Sequence, residues 1–484
     1  MTVIEFLGGD SLEEIGADAL VIGVGAGRDF DESGRWLLGR MGEWLNAYLD
    51  AADFSGKEGE LVAIPGAGVI PQVSATLVGL GEVTAESVRR AAGRAGRSLT
   101  RASTVATTLH DRVAGGAEAA TLGFLLGQYS FQKHRSHPTP AGTGILHLVG
   151  AGPGALGSAA RGEVMARAVM LARDLVNEAP VDKAPAALAE VARQIGDRVG
   201  VRVRVYDESE IAAGGFGGLI GVNAGAANPA RLVEMWYEPA GARAFLALVG
   251  KGIVFDSGGL SIKPAEMMET MKTDMSGAAA VFVAIGAIAE LKIPVKVLGI
   301  APLTENMPGG SALRPGDVIK VRNGKTIEVL NTDAEGRLIL ADGLSLAAEA
   351  APDLIVDLAT LTGACKVALG DEIAGLFGTG GAPERVARAA SAAGERVWQL
   401  PLPDDYRKKI DSDVADMKNT GSRDGGAITA ALLLKEFVGE VPWAHLDIAG
   451  PARSAESEHY VTKGGTGFGV RTLVALAEDL AGSP

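Results

Sequence analysis

Short apolar runs alternate with helical patterns through the first third of the chain. The predicted strands are 17–24, 59–66, 74–81 and 143–150, and the predicted helices are 85–102 and 117–131. This alternation is typical of an α/β domain with a largely parallel sheet. A Gly/Pro-rich stretch follows at 150–162. Because such composition marks a joint, we place the domain boundary there.

The same alternation returns beyond the joint. A long helix is predicted over 163–180, followed by strands at 201–207, 244–250, 295–302 and 353–359 and helices at 275–292 and 427–439. The expected fold is therefore α/β with two domains. A smaller N-terminal α/β domain covers 1–160, and a larger C-terminal α/β domain, with a mixed sheet flanked by helices, covers 161–484.

Length and composition narrow the class of protein. The chain has 484 residues, ample for a large core, and 45 Lys+Arg against 59 Asp+Glu, a net charge of −14. That charge argues against nucleic acid as a general partner. Cys365 is the single cysteine, so neither a disulfide within the chain nor a cysteine zinc site is expected. The N-terminus is acidic, and no apolar run reaches the roughly 20 residues that span a bilayer. We expect a cytoplasmic protein without membrane contact.

One glycine pattern imitates a nucleotide site. Gly152, Gly154 and Gly157 match G-x-G-x-x-G after a predicted strand, with Asp174 further on. However, Pro153 lies inside the turn, and a chain with 67 glycines produces such matches easily. We interpret the stretch as a linker.

Charged side chains concentrate in three stretches of the second domain. These are VGKGIVFDSGGLSIKP (249–264), MKTDMSGAAA (271–280) and NTDAEGRL (331–338), which carry Lys251, Asp256 and Lys263, then Asp274, then Asp333, Glu335 and Arg337. Each stretch lies at a predicted strand end or helix start. Active sites of α/β sheets lie at the carboxyl ends of strands.

Each residue also has a structural interpretation. Asp274 could cap the following helix, Asp256 could belong to a turn, and Asp333 and Glu335 could be first-turn acids. The lysines could be solvated. If the four carboxylates converge instead, their repulsion raises their pKa values unless cations relieve it. Oxygen ligands suit Mg, Mn or Zn, and two metals about 3.5–4 Å apart are common in hydrolases.

Other catalytic patterns are missing. None of the six histidines (His110, His134, His137, His147, His445 and His459) falls in the acidic stretches, and H-E-x-x-H, G-x-S-x-G and Walker A motifs do not occur. His445 lies in the apolar run WAHLDIAG, where a satisfied core histidine is expected.

These motifs closely resemble the leucyl (cytosol) aminopeptidase family of dinuclear metallopeptidases. NTDAEGRL resembles the family signature, and the other two stretches agree, as do DLATLTGAC (357–365), DIAGPA (447–452) and KGGTGFGVRTL (463–473). They occur in the family's order from about 165 to the C-terminus. The chain departs from common family patterns at 177–185 and 221–232.

The resemblance implies a role for each site residue. Lys251, Asp256, Asp274, Asp333 and Glu335 resemble the ligands of two metal ions, with Asp256 and Glu335 bridging them. Lys263 and Arg337 resemble the two catalytic groups that do not bind metal. Met271, Thr360, Gly363 and Ala452 would line the substrate pocket, an apolar wall suited to Leu-like residues.

The resemblance also implies cofactors and assembly. Two divalent ions, Mn or Zn with Mg possible at one site, would activate a bridging water, and bicarbonate on Arg337 would act as the general base. The family cleaves N-terminal residues from peptides and forms hexamers. Two other hypotheses about the function remain. The protein could be a different metal-assisted hydrolase such as a phosphoesterase, or it could have an accessory DNA-binding role through the arginines of 89–101.

Overall fold

The computed structural model describes residues 2–7, 12–139, 142–150 and 152–482, which fall into two compact units. The first unit comprises Met1–Met170 together with Ala455–Lys463. The second comprises Leu171–Ser454 and Gly464–Pro484. The units group residues by their contacts, and the domain division at residue 160 stays a prediction.

The first unit contains one sheet with helices around it. Its strands are β1 (Val3–Leu7), β2 (Ala19–Gly25), β3 (Asp29–Phe30), β4 (Leu61–Pro65), β5 (Ser74–Gly81), β6 (Thr104–Thr107) and β7 (Ile145–Val149), and its helices are α1 (Glu32–Met41), α2 (Glu43–Ala51), α3 (Ala85–Ser98) and α4 (Gly116–Gly127). The strand order is β1-β7-β6-β2-β5-β4. All pairs along this path are parallel except β4 with β5, so the expected largely parallel sheet is present.

The Gly/Pro-rich stretch differs from the linker we expected. Helix α5 runs over Pro153–Asn177, so Gly154 and Gly157 lie inside its first turns. The segment 150–162 is rich in alanine after Pro153, and proline is well tolerated at the first position of a helix. Gly154 and Gly157 therefore belong to a helix and not to a linker.

The second unit begins in α5 and contains the remaining elements. Its helices are α6 (Pro185–Val199), α7 (Glu208–Ala213), α8 (Gly217–Asn223), α9 (Ala265–Met268), α10 (Ser276–Glu290), α11 (Gly336–Glu349), α12 (Gly363–Leu369), α13 (Ala382–Ala393), α14 (Gly426–Lys435) and α15 (Val470–Ala481). Its strands are β8 (Arg202–Tyr206), β9 (Arg231–Tyr237), β10 (Phe245–Gly250), β11 (Gly252–Asp256), β12 (Lys296–Asn306), β13 (Val318–Lys320), β14 (Thr326–Glu328), β15 (Leu354–Ala359), β16 (Ala374–Thr379), β17 (Val397–Gln399), β18 (Met417–Lys418), β19 (Trp443–Asp447), β20 (Arg453–Ser454) and β21 (Gly464–Gly465).

The main sheet of the second unit is mixed, as expected. Its order is β17-β16-β19-β15-β10-β12-β9-β8, with β11 paired to β12. Strands β19, β15, β10, β12 and β11 are parallel to their neighbours in that run, so their carboxyl ends share one edge. On one side of this run, β9 pairs antiparallel with β12 and β8 pairs antiparallel with β9. On the other side, β16 pairs antiparallel with β19. Polar side chains that follow the central strands therefore meet at one edge of the sheet.

Helix α10 is the central buried helix of the second unit. Every residue from Ser276 to Ala289 is buried, and the helix starts close to the ends of β10 and β15. A Cβ on Gly277 would lie 2.1 Å from the Leu358 oxygen, so only glycine fits there. In the described residues, 265–290 is the one segment long and apolar enough to cross a membrane, but 89% of its apolar window is buried inside the protein. It is a core segment.

Candidate metal centre and substrate cavity

Four carboxylates meet at the carboxyl edge of the main sheet. Asp256 is the last residue of β11, Asp274 lies two residues before α10, and Asp333 and Glu335 lie in the loop that leads into α11. Asp256, Asp333 and Glu335 each offer an oxygen within 4.8 Å of the others. Side chains from three distant stretches of sequence thus converge as the sequence predicts.

Two buried lysines join the four acids. The Lys251 ammonium lies 2.8 Å from Asp274 Oδ2 and 2.9 Å from Glu335 Oε1. The Lys263 ammonium lies 2.8 Å from Asp256 Oδ2 and also contacts Asp333. The side chains of Lys251 and Lys263 are only 3% and 8% exposed, so the interpretation of these lysines as solvated charges is wrong.

The acids and lysines shift one another's pKa values. Burial raises the pKa of Asp274, and the neighbouring Asp256 and Glu335 charges raise it further against the pull of Lys251. Burial likewise raises the pKa values of Asp333 and Glu335. Burial opposes the charge on Lys251, but three surrounding carboxylates outweigh it and raise that pKa. The carboxylates therefore favour cations in their midst.

The donor set fits divalent cations. The Glu335 Oε2 atom is buried and has no hydrogen-bond partner, a costly state for an ionised carboxylate. The site offers carboxylate oxygens and neither thiolate nor imidazole, a donor set that can bind Mg, Mn or Zn. Lys251 can join as a ligand only as a neutral amine, so a cation bound there must displace its proton.

Further polar groups, which we did not predict, orient the metal-site residues. Asn306 is the last residue of β12. Its side-chain amide donates to Asp256 Oδ1 at 2.8 Å and to the Thr332 backbone oxygen at 3.0 Å. Asn419 donates to the Asn331 oxygen at 2.6 Å. Partners of ligands commonly fix ligand orientation. The position of Asn306 at a strand's carboxyl end was a signal for its role, whereas Asn419 lies far from the motif in sequence.

Arg337 lies in the first turn of α11 and is 8% exposed. Its Nη1 donates to the Asn419 oxygen at 2.6 Å, while its Nε is buried without a hydrogen-bond partner. Burial lowers its pKa to about 10, against the opposite effect of Glu335 and Asp447, so it stays cationic at neutral pH. A buried guanidinium with a spare donor at a helix start is suited to bind an anion.

One cavity of about 670 Å³ lies beside the four carboxylates, the two lysines and Arg337. The predicted wall residues Met271, Thr360, Gly363 and Ala452 line it together with the seven charged residues of the predicted site. Thr360 also donates to Asp274 Oδ1 at 2.6 Å, and its backbone oxygen accepts from Lys251 at 2.9 Å. Thr360 thus orients two of the proposed ligands as well as lining the wall.

One local interpretation is wrong. Asp274 does not cap α10, since the residue at that position is Met275 and the Asp274 side chain contacts Lys251 and Thr360 instead. Gly336 is the first residue of α11 and has an ordinary negative φ. A Cβ there would lie 2.5 Å from Lys251 Cε. Glycine at 336 therefore makes room for the lysine.

The sequence matches one peptidase family along most of its length. The catalytic domain of the cytosol aminopeptidase family matches residues 170–474, and the family's N-terminal domain matches residues 21–138. The chain belongs to the cytosol aminopeptidase family. It is therefore a hydrolase with aminopeptidase activity, and its α/β fold with two domains is that of the family.

Relatives of this family cover nearly the whole chain. A "probable cytosol aminopeptidase" of Leifsonia xyli is 45% identical over 483 residues, 96% of either chain. A mutant of tomato leucine aminopeptidase aligns with a TM-score of 0.90 at 35% identity, over 99% of this chain and 97% of its own. The bottromycin maturation enzyme BotP in complex with Mn aligns with a TM-score of 0.87 at 38% identity, over 96% and 100%.

Two features outside the cavity have structural roles in this cytosol aminopeptidase. His445 is fully buried, with Nδ1 2.6 Å from Asp357 Oδ1, so its predicted core position is confirmed, but its Nε2 has no hydrogen-bond partner among the described residues and the histidine is only partly satisfied. On α3, Arg89 pairs with Glu86, and Arg90 lies 2.7 Å from Glu58 and 2.9 Å from Glu86. These pairs engage two of the five arginines in 89–101.

Proposed function

We propose that this aminopeptidase depends on two divalent cations and releases N-terminal residues, preferably Leu-like, from peptides. The observation that carries the proposal is the buried cluster of four carboxylates and two lysines at the carboxyl edge of the main sheet. Manganese is the first choice because BotP, a structural neighbour, is described in complex with Mn. Zinc, with magnesium possible at one site, is compatible with the same donors.

Five residues would hold the ions: Lys251, Asp256, Asp274, Asp333 and Glu335. Asp256 and Glu335 would bridge, as the family resemblance implies. When bound, such a metal pair supplies Lewis acidity and a water activated at neutral pH. Asn306 and Thr360 keep Asp256 and Asp274 oriented, since each donates directly to a carboxylate oxygen.

Lys263 and Arg337 would act on the substrate and its protons. Carboxylates around Lys263 outweigh its burial and raise its pKa, so it keeps its charge and can stabilise an oxyanion at the scissile carbonyl. The buried Arg337 Nε would bind bicarbonate, which supplies the general base. This assignment suits a cavity whose carboxylates all belong to the proposed metal site.

Met271, Thr360, Gly363 and Ala452 would form the wall that contacts the N-terminal side chain. Met271 offers an adaptable apolar surface, and Gly363 leaves open space where a side chain would otherwise project. This combination supports a preference for Leu-like residues.

Metal content and Leu-p-nitroanilide hydrolysis test the proposal in Asp274→Asn and Glu335→Gln. Each variant keeps the shape of the side chain but removes the charge that would hold the ions. We expect each to bind less Mn and to lose at least about 100-fold in kcat/KM. Asp317→Asn, at a surface acid 3.1 Å from Arg314, is the control and should behave as wild type. Full metal occupancy with unchanged rates in both site variants would refute the proposal.

We also propose a cytoplasmic homohexamer, following the family resemblance and the relatives' description as cytosol aminopeptidases. Light scattering after size exclusion should give six times the monomer mass. A monomer or dimer at micromolar concentration would contradict it. Nucleic acid is not a proposed partner, and a gel shift at physiological salt should show no specific complex.

A further inference from the structure

The substrate cavity carries more positive charge than its catalytic groups require. Six cationic and four acidic side chains line it, an excess of two positive charges in a protein of net charge −14. Lys251, Lys263 and Arg337 belong to the site already described. The other three cations are Lys366, Arg423 and Arg453.

These three cations differ in their partners. Lys366 lies 3.0 Å from Asp371, a surface ion pair that already satisfies it. Within the residues that the structure describes, no carboxylate lies within 4.0 Å of the Arg423 or Arg453 guanidinium. Arg423 is exposed, in the loop before α14, whereas Arg453 is half-buried. Among Lys366, Arg423 and Arg453, Arg453 is therefore the cation that is half-buried and has no carboxylate partner among the described residues.

The backbone holds Arg453 firmly beside the predicted wall. Arg453 pairs with Gly465 in the β20–β21 ladder. The preceding Ala452 accepts the Thr466 backbone N–H at 3.1 Å, and the Thr466 hydroxyl donates to the Pro451 oxygen at 2.6 Å. A guanidinium on a fixed backbone loses less entropy when it binds, so it can discriminate between ligands.

We propose that Arg453, assisted by Arg423, binds a carboxylate of the peptide substrate. The proposal rests on the proposed aminopeptidase function and adds the substrate class: short peptides with a carboxylate close to the scissile bond. The planar guanidinium matches a carboxylate with two parallel hydrogen bonds. The positive cavity also raises the local concentration of anionic peptides. A volume of about 670 Å³ is that of a small-ligand pocket, which suits a peptide of a few residues.

The carboxylate has two possible sources, the C-terminus of a dipeptide or an acidic side chain after the scissile bond. Four substrates separate them: Leu-Gly against Leu-Gly-amide, and Leu-Asp-amide against Leu-Asn-amide. For the Mn-loaded enzyme, we expect kcat/KM to favour the charged member of at least one pair by about 5- to 10-fold, mainly through KM. The pair that responds identifies the source.

Arg453→Met removes the guanidinium and keeps an extended side chain. We expect the preference for the charged substrate to fall below about two-fold in this variant, with Arg423→Met causing a smaller loss. Lys366→Met is the matched control: it removes a charge from the same cavity, and the preference should stay within two-fold of wild type. An equal loss of preference in Lys366→Met would mean that the overall positive potential of the cavity causes the preference, and it would overturn the specific role of Arg453.

Two other results would also overturn the proposal. One is a wild-type preference below two-fold in both substrate pairs, and the other is a preference that survives in Arg453→Met. If none of the four peptides is cleaved, the proposed function fails separately. Calorimetric titration of the same peptides then decides the carboxylate proposal, since binding without discrimination between charged and amidated members refutes it.

Discussion

Lys183 offers a sharp test of how the cavity wall is held. Lys183 is 2% exposed, and its ammonium donates to the backbone oxygens of Leu175, Val176 and Lys272, at 2.9, 3.0 and 2.6 Å. The first two oxygens belong to the last turn of α5, and Lys272 lies in the 3-10 turn Met271–Thr273 on the cavity wall. Lys183 therefore connects α5 to the turn that precedes Asp274.

Burial, reinforced by the Lys272 charge, lowers the pKa of Lys183 to about 7, although Glu178 acts in the opposite direction. An unfolded chain keeps the lysine protonated up to a pKa of about 10.4. Between these values the unfolded state binds more protons, so the free energy of unfolding rises with pH. Below pH 7 both states are protonated, and the folded state carries the full cost of the buried charge.

The perturbation is Lys183→Met, which cannot titrate. From pH 7, where the folded lysine is half deprotonated, to pH 9, the stability of wild type relative to the variant should increase by about 2.3 kcal/mol, since the slope reaches 1.36 kcal/mol per unit only above the folded pKa. Urea unfolding followed by tryptophan fluorescence at fixed metal concentration measures the difference. Using the difference between two proteins cancels the titration of the metal ligands, which both share.

Lys408→Met, at an exposed lysine of the same unit, is the control and should show a difference independent of pH over this range. A flat difference for Lys183→Met, or one that falls as pH rises, would refute the reasoning. A flat difference would mean that the three carbonyl oxygens compensate for burial, since a folded pKa at or above about 10.4 leaves both states protonated over this range.

Three further predictions concern the metal site. Gly277→Ala would place a Cβ 2.1 Å from the Leu358 backbone oxygen and 2.8 Å from the Lys251 backbone nitrogen. The variant should therefore lose about 1–3 kcal/mol of stability in thermal unfolding and bind Mn more weakly. Gly310→Ala, where no atom lies within 4 Å of the added Cβ, should change neither property. Arg337→Met should abolish stimulation by added bicarbonate in carbonate-free assays; stimulation equal to wild type would contradict the anion assignment. Chelation followed by dialysis should abolish Leu-p-nitroanilide hydrolysis and lower the melting temperature, both restored by Mn; a metal-free protein with full activity would contradict the proposal.

The sequence predicted the convergence of the site because its chemistry is concentrated in three short stretches. Lys251 directly follows the predicted strand 244–250, and α/β topology brings strand ends to one edge, whereas β11, which carries Asp256, was not predicted. The main strands and helices around them were predicted within a few residues of their observed bounds. Local pattern and chemistry agree at this edge of the sheet.

Other features depend on contacts between distant residues and escaped prediction. The local pattern around Asp274 is that of a helix cap, but Lys251, from another stretch of the chain, takes its carboxylate. The need for glycine at 336 becomes visible only when the Lys251 side chain is placed against it. The local sequence at 177–185 does not indicate that Lys183 is buried, since the acceptors of its ammonium include a backbone oxygen 89 residues away. Tertiary packing decides each of these cases.

The segment Ala455–Lys463 determines when the first unit can be completed during synthesis. It belongs to that unit, where the Tyr460 hydroxyl donates to Glu86 at 2.7 Å and Arg97 donates to the Val461 oxygen at 2.6 Å. A Cβ on Gly93 would lie 2.7 Å from the Tyr460 nitrogen, so α3 is shaped to receive this segment. A ribosome therefore delivers nearly the entire chain before the N-terminal unit has all its parts, and a fragment cut after residue 170 carries an uncovered α3 surface.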